Sequence, residues 1–137
     1  MKRLFAIALI VISFTPCMLA QVASTEAAQK AAQSWLALVD KGDYGATWDQ
    51  SAEMFKAALS KQQWEKALSS SRGQFGKVLS RKLKSATFTT TLPGAPDGQY
   101  VVIQYETSFE NKKSAVETIT PQLAKDGQWR VSGYYIR

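Results

Sequence analysis

Lys77-Val78-Leu79-Ser80-Arg81-Lys82-Leu83-Lys84-Ser85-Ala86-Thr87-Phe88-Thr89 decides the fold. The stretch alternates as a strand does, but its apolar residues change parity. Leu79 and Leu83 share odd positions with Arg81, whereas Ala86 and Phe88 fall on even ones. A one-residue slip near Lys84-Ser85 brings them all to one side. The stretch therefore predicts a long strand, Lys77 to Leu92, with a β-bulge or bend in it. A bulge of this kind implies a curved sheet.

Upstream of Gly76, Ala, Gln, Lys and Leu dominate with helical spacing. Ser24-Thr25-Glu26 opens a first helix, with Ser or Thr as its cap. Ala28, Ala32, Trp35, Leu36 and Val39 form one apolar stripe along it. Gly42 ends that helix, and Asp43 caps a second carrying Trp48, Ala52, Phe55 and Leu59. Ser60-Lys61-Gln62-Gln63 has the form of a capping box and opens a third helix with Trp64, Ala67 and Leu68. Ser69 to Gly76 reads as a loop or a frayed helix end. Downstream of the bulged strand, Pro93 to Gly98 is a turn cluster. Tyr100 to Phe109, Ser114 to Ala124 and Trp129 to Ile136 follow as strands, with turns at Asn111-Lys112 and Asp126-Gly127. The expected architecture is α+β: N-terminal helices packed on a curved four-stranded antiparallel sheet. The space between such a sheet and its helices is a natural pocket.

The N-terminus carries a different message. Met1-Lys2-Arg3 precedes an eleven-residue run, Leu4 to Phe14, whose only polar member is Ser13. Thr15-Pro16 breaks the run, and small residues follow at Ala20 and Ala23. This is the layout of a secretory signal peptide. The run is too short to span a bilayer, which takes roughly 20 apolar residues. A lipoprotein signal needs a small residue and an aliphatic one before Cys17, and Phe14-Thr15-Pro16 does not supply them. We expect residues 1–20 to be a signal peptide cut after Ala20, with Ala23 as the second choice, and residues 21–137 to be one domain. The expected destination is the bacterial periplasm or the exterior. The cut removes two of the 17 basic residues and none of the 11 acidic ones, so the net charge falls from +6 to +4. It also removes the one cysteine, so the exported domain must rely on its core rather than on disulfides.

Several segments resemble the bacterial domain-of-unknown-function family 4019. They are Trp35 to Tyr44, Trp48 to Ala52, Leu92-Pro93-Gly94, Asp97 to Tyr100, Glu117-Thr118 and Asp126 to Tyr134, with the Trp-Arg-Val-Ser-Gly-Tyr ending the most specific. The family resembles the nuclear transport factor two-like, or cystatin-like, cone. The resemblance implies that fold and supplies no activity, so no functional residue is carried over from it.

The chain has no His, which removes Ser-His, Cys-His and His-metal mechanisms. No glycine-rich phosphate loop and no metal-ligand spacing is present, so no cofactor and no metal are expected. The basic run Arg81-Lys82-Leu83-Lys84 is split across two faces by alternation and is no nucleic-acid patch. Anionic surfaces such as lipopolysaccharide or phospholipid headgroups fit that charge better. All five Asp residues fall on helices or turns, and the sheet carries only Glu106, Glu110 and Glu117. Glu117 shares parity with Ala115, Ile119 and Leu123 and points inward. Arg81 shares parity with Leu79 and Leu83 and points inward too. Two isolated buried charges are costly, so the pair is expected to meet inside or at the mouth of the cone, with Tyr105 and Tyr135 as further polar partners. The sequence thus points to an exported, non-catalytic domain that binds a small ligand or an envelope protein. The alternative is a cofactor-independent isomerase- or hydrolase-type enzyme with Glu117 as its general base. Trp35, Trp48 and Trp64 lie on helical stripes and read as core rather than as a ligand cage.

Overall fold

The computed structural model describes residues 16–137. Four helices, α1 (Pro16–Lys41), α2 (Tyr44–Asp49), α3 (Glu53–Ala58) and α4 (Lys61–Phe75), precede four strands. The strands are β1 (Val78–Thr89), β2 (Tyr100–Phe109), β3 (Lys112–Leu123) and β4 (Trp129–Ile136). They form one antiparallel sheet in the order β1-β2-β3-β4, so the class is α+β as expected.

The helices depart from expectation in three places. α1 has no cap at Ser24-Thr25 but runs through both; the Thr25 hydroxyl donates back to the Gln21 carbonyl at 2.9 Å instead. Its expected stripe is buried: Ala28, Ala32, Trp35, Leu36 and Val39. Residues 16–23 are all exposed, so Ala20 and Ala23 both lie clear of the core, and residues 1–15 of the expected signal peptide lie outside the described residues. The expected second helix is two. Asp43 does cap α2, but Ala52 turns extended and donates its N–H to the Val131 carbonyl of β4 at 2.8 Å. A tertiary hydrogen bond replaces the helical one and breaks the helix there. The capping box of Ser60 and Gln63 is present on α4, which runs on to Phe75 where a loop or frayed end was expected. Arg72 is buried in its last turns and tied to α1, which holds them helical. Gly76 stops the helix at φ +75, a conformation other residues rarely adopt.

In β1 the register shifts between Leu83 and Ser85, where the parity of the apolar residues changes, and again between Val78 and Ser80. Ala86 and Phe88 then pack against the core. Leu79 and Leu83 do not: they stay 55% and 46% exposed. β1 is an edge strand whose one neighbour is β2, and between the two leucines Arg81 is held by Asp40 of α1. The core lies between the helices and the other strands, built from Trp35, Leu36, Trp64, Ile103, Ile119 and Val131. Three indoles are fixed by hydrogen bonds. Trp35 donates to the Thr47 carbonyl at 2.9 Å, Trp64 to the Thr47 hydroxyl at 2.8 Å and Trp48 to the Leu59 carbonyl at 2.8 Å. Thr47 is fully buried, so the Trp35 and Trp64 donors are satisfied without water.

Candidate functional site

Glu117 sits in β3 opposite Tyr105 of β2 and Ile136 of β4, on the helix-covered face, with no exposed surface. A carboxylate buried this deeply needs compensation on every lone pair. It has it. Arg81 Nε donates to Oε1 at 2.6 Å and Nη2 to Oε2 at 3.2 Å, the two-pronged grip that the planar guanidinium allows. Thr107 Oγ1 donates to Oε1 at 2.6 Å, and the Tyr134 hydroxyl donates to Oε2. The expected Arg81–Glu117 pair is therefore formed on the covered face.

Arg81 reaches a second carboxylate with its remaining donors. Nη1 and Nη2 donate to Asp40 at 2.7 and 3.1 Å, and Arg72 Nη1 donates to the same carboxylate at 3.2 Å. The four charges alternate along a chain, Arg72, Asp40, Arg81, Glu117, and cancel. Burial works against ionisation of Asp40, but the hydrogen bonds and charges of Arg81 and Arg72 outweigh it and hold its carboxyl below the ordinary value. Burial, the Glu117 charge and the bond to Glu117 together push the Tyr134 hydroxyl well above its ordinary value. Burial likewise raises the Tyr105 hydroxyl, which has no hydrogen-bond partner of good geometry among the described residues.

The expected set of Arg81, Glu117, Tyr105 and Tyr135 is corrected in two members. Tyr105 stands opposite Glu117 on the covered face, but its hydroxyl bonds to neither Arg81 nor Glu117. Tyr135 lies opposite Thr118 on the other face and is 46% exposed, with the Arg137 guanidinium 5.2 Å from its ring. Tyr134 takes its place. The cause is a register shift in the β3–β4 pair: Pro121 pairs with Val131, but Thr120 pairs with Gly133. The extra residue, Ser132, reverses the parity of everything after it.

Four members of the cluster escaped the sequence: Asp40, Arg72, Thr107 and Tyr134. Arg72 follows Trp64 and Leu68 at steps of four, so the helical period carries the signal once α4 is taken to its full length. Asp40 follows Leu36 at the same step. Nothing in the alternation of β4 announces the bulge that turns Tyr134 inward.

Chemically the cluster is closed. The donors fill the lone pairs of Glu117, whereas a general base needs one free to meet a substrate proton. Trp35 packs on the Tyr134 that caps Glu117, with ring centres 5.2 Å apart, and lies 6.0 Å from the ring centre of Trp64. At the rim, Gln33, Leu36, Ala37, Asp40, Arg81 and Tyr105 line a shallow cleft of about 280 Å³. Among the described residues no three His, Cys, Asp or Glu side chains gather to hold a metal, and no helix is long and apolar enough to cross a membrane.

The family model for a protein of unknown function, DUF4019, matches residues 31–134. The chain belongs to that family. The match begins within α1 at Ala31 and ends at Tyr134, so it takes in Asp40, Arg72, Arg81 and Glu117 together. A search of curated proteins found no match.

Proposed function

We propose that this DUF4019 member is an exported, non-catalytic binding domain of the bacterial envelope, with the nuclear transport factor two-like, cystatin-like cone as its fold. The observation that carries the non-catalytic reading is the saturation of Glu117 by Arg81, Thr107 and Tyr134. Side chains of the core occupy the interior where a cone enzyme keeps its substrate, which supports the same reading. Helices over one face of a bulged antiparallel sheet support the cone. Export rests on the basic start, the apolar run and the small residues at Ala20 and Ala23. The exposure of residues 16–23 fits removal of the segment without loss of core.

The decisive experiment compares Glu117→Gln with the parent. A structural carboxylate predicts a loss of stability with unchanged binding of whatever co-purifies from the envelope. The enzyme reading predicts a stable variant that has lost turnover of a substrate found by screening. The intact mass of the chain recovered from the envelope tests export: it should begin at Gln21 or Ser24, and a soluble mature form that retains Cys17 overturns the cut.

A further inference from the structure

The opposite, uncovered face of the sheet carries a shallow hollow of about 510 Å³. Its walls are Ser80, Lys82 and Lys84 of β1, Glu106 and Ser108 of β2, and Lys113, Ser114 and Val116 of β3. Two register shifts flank it, between Val78 and Ser80 and between Thr107 and Phe109. Bulges at such positions bend strands out of plane, and here the bent strands wall the depression.

The chemistry of the hollow is one-sided. Lys82, Lys84 and Lys113 make no ion pair among the described residues, although six ion pairs occupy Arg and Lys side chains elsewhere. Glu106 is the one carboxylate in the wall; it stands opposite Lys82 in the register and leaves a net positive charge around the hollow. Ser80 and Ser108 face each other across β1 and β2, and Ser114 adds a third hydroxyl from β3. None of the three hydroxyls makes a hydrogen bond among the described residues. Mutually repelling ammonium groups around unused hydroxyl donors are what an oxyanion with several acceptor oxygens requires.

We propose that this hollow binds a phosphate-bearing ligand, a phosphomonoester group held by Lys82, Lys84 and Lys113 with Ser80, Ser108 and Ser114 as neutral donors. A tetrahedral dianion has acceptors enough for both kinds of donor, whereas a carboxylate has only two oxygens. The inference deepens the binding reading by naming a ligand chemistry.

The test titrates the whole mature chain with inorganic phosphate while amide resonances are followed by NMR, with sodium chloride at matched ionic strength as control. A second arm measures sedimentation with vesicles of phosphatidylcholine containing phosphatidic acid, whose headgroup is a phosphomonoester. Saturable shifts at Ser80, Ser108 and Ser114 that chloride does not reproduce support the site. Lys82→Gln and Lys113→Gln should each weaken binding about tenfold, the equivalent of one charge-assisted hydrogen bond. Phosphate binding without vesicle binding assigns a soluble phosphate ester. Vesicle binding that requires Lys82 and Lys113 assigns a lipid headgroup. Shifts equal in chloride, or vesicle binding indifferent to both substitutions, overturn the proposal. Such a failure leaves the binding reading standing, because that reading rests on Glu117, and the Glu117→Gln comparison fails or succeeds independently.

Discussion

On the helix-covered face, Arg72 and Arg81 meet Asp40 and Glu117 at 2.6–3.2 Å and their charges cancel. On the open face, Lys82, Lys84 and Lys113 stand around Glu106 without a single ion pair among the described residues. The two sets are interleaved in sequence: Arg81 points one way and Lys82 the other. The difference follows from solvent. A charge taken out of water must find its opposite with good geometry, and the forked guanidinium does so for two carboxylates at once. An ammonium left in water needs no partner, so its position is free to serve a ligand. The covered face spends its charges on stability, and the open face keeps its charges available.

The covered face breaks most severely through its apolar support. Trp35 is 2% exposed and touches both Trp64 and Tyr134. Trp35→Ala should cost about 3–5 kcal/mol by denaturant titration, as for other large buried aromatics. A variant melting within a degree or two of the parent would show that the indole is not a core member.

Next comes the buried charge itself. Glu117→Gln leaves Arg81 with Asp40 alone and the cluster with one uncompensated positive charge, at a cost of about 3 kcal/mol. Replacing Arg81 by Met and Glu117 by Leu together should cost less than the two single changes added, because neither charge is then stranded and Asp40 retains Arg72. Strict additivity in that cycle would mean that the two side chains do not act as a unit.

Legibility in the sequence followed the same division. The Arg81–Glu117 pair could be read because both residues sit on strands whose parity is countable from their apolar neighbours. The bulge at Leu83–Ser85 could be read because the apolar residues themselves change parity across it. The bulge at Ser132 could not: Gly133 carries no side chain, so the parity of β4 is silent where it reverses, and alternation alone selects Tyr135 in place of Tyr134. Asp40 lies 41 residues before Arg81 and 32 before Arg72, and only the packing of α1 on the sheet brings it to both arginines. The break between α2 and α3 was equally hidden, since the Ala52 N–H bond to Val131 spans most of the chain. No pattern on the open face marks a hollow, because neither Lys nor Ser reports on sheet geometry.

A smaller expected effect is on pH dependence. Asp40 has a carboxyl held below its ordinary value in the folded chain. Its contribution is complete above the unfolded value of about 3.9 and is lost as pH falls through the lowered folded value. Tyr134 is displaced upward, so its contribution is complete below about pH 10 and is lost as pH rises beyond that. Melting temperature should therefore fall at both extremes. Asp40→Asn should flatten the acid limb and Tyr134→Phe the alkaline limb, each without touching the other. A Tyr134→Phe variant with an unchanged alkaline limb would remove the tyrosine from the cluster's energetics.

The smallest expected change in stability is on the open face, and there its near absence is the prediction. Lys82→Gln and Lys113→Gln remove exposed charges that make no ion pair, and neither residue packs into the core. Surface substitutions away from caps, cavities and pairs shift stability by less than about 0.5 kcal/mol. At low salt Lys113→Gln should be slightly stabilising, because it relieves repulsion between neighbouring ammonium groups, whereas for Lys82→Gln the lost attraction to Glu106 opposite it offsets that relief. Added salt should shrink even that gain, since exposed charges are screened over about 10 Å at 0.1 M. Arg81→Gln supplies the contrast: one residue away in sequence and on the other face, it should cost several kcal/mol and respond little to salt, because it strands Glu117 where water does not reach. Denaturant titrations of Lys82→Gln and Arg81→Gln at low and high salt measure this directly. If the two neighbours behaved alike, the division of labour between the faces would be wrong, and with it the availability of the lysines for a ligand.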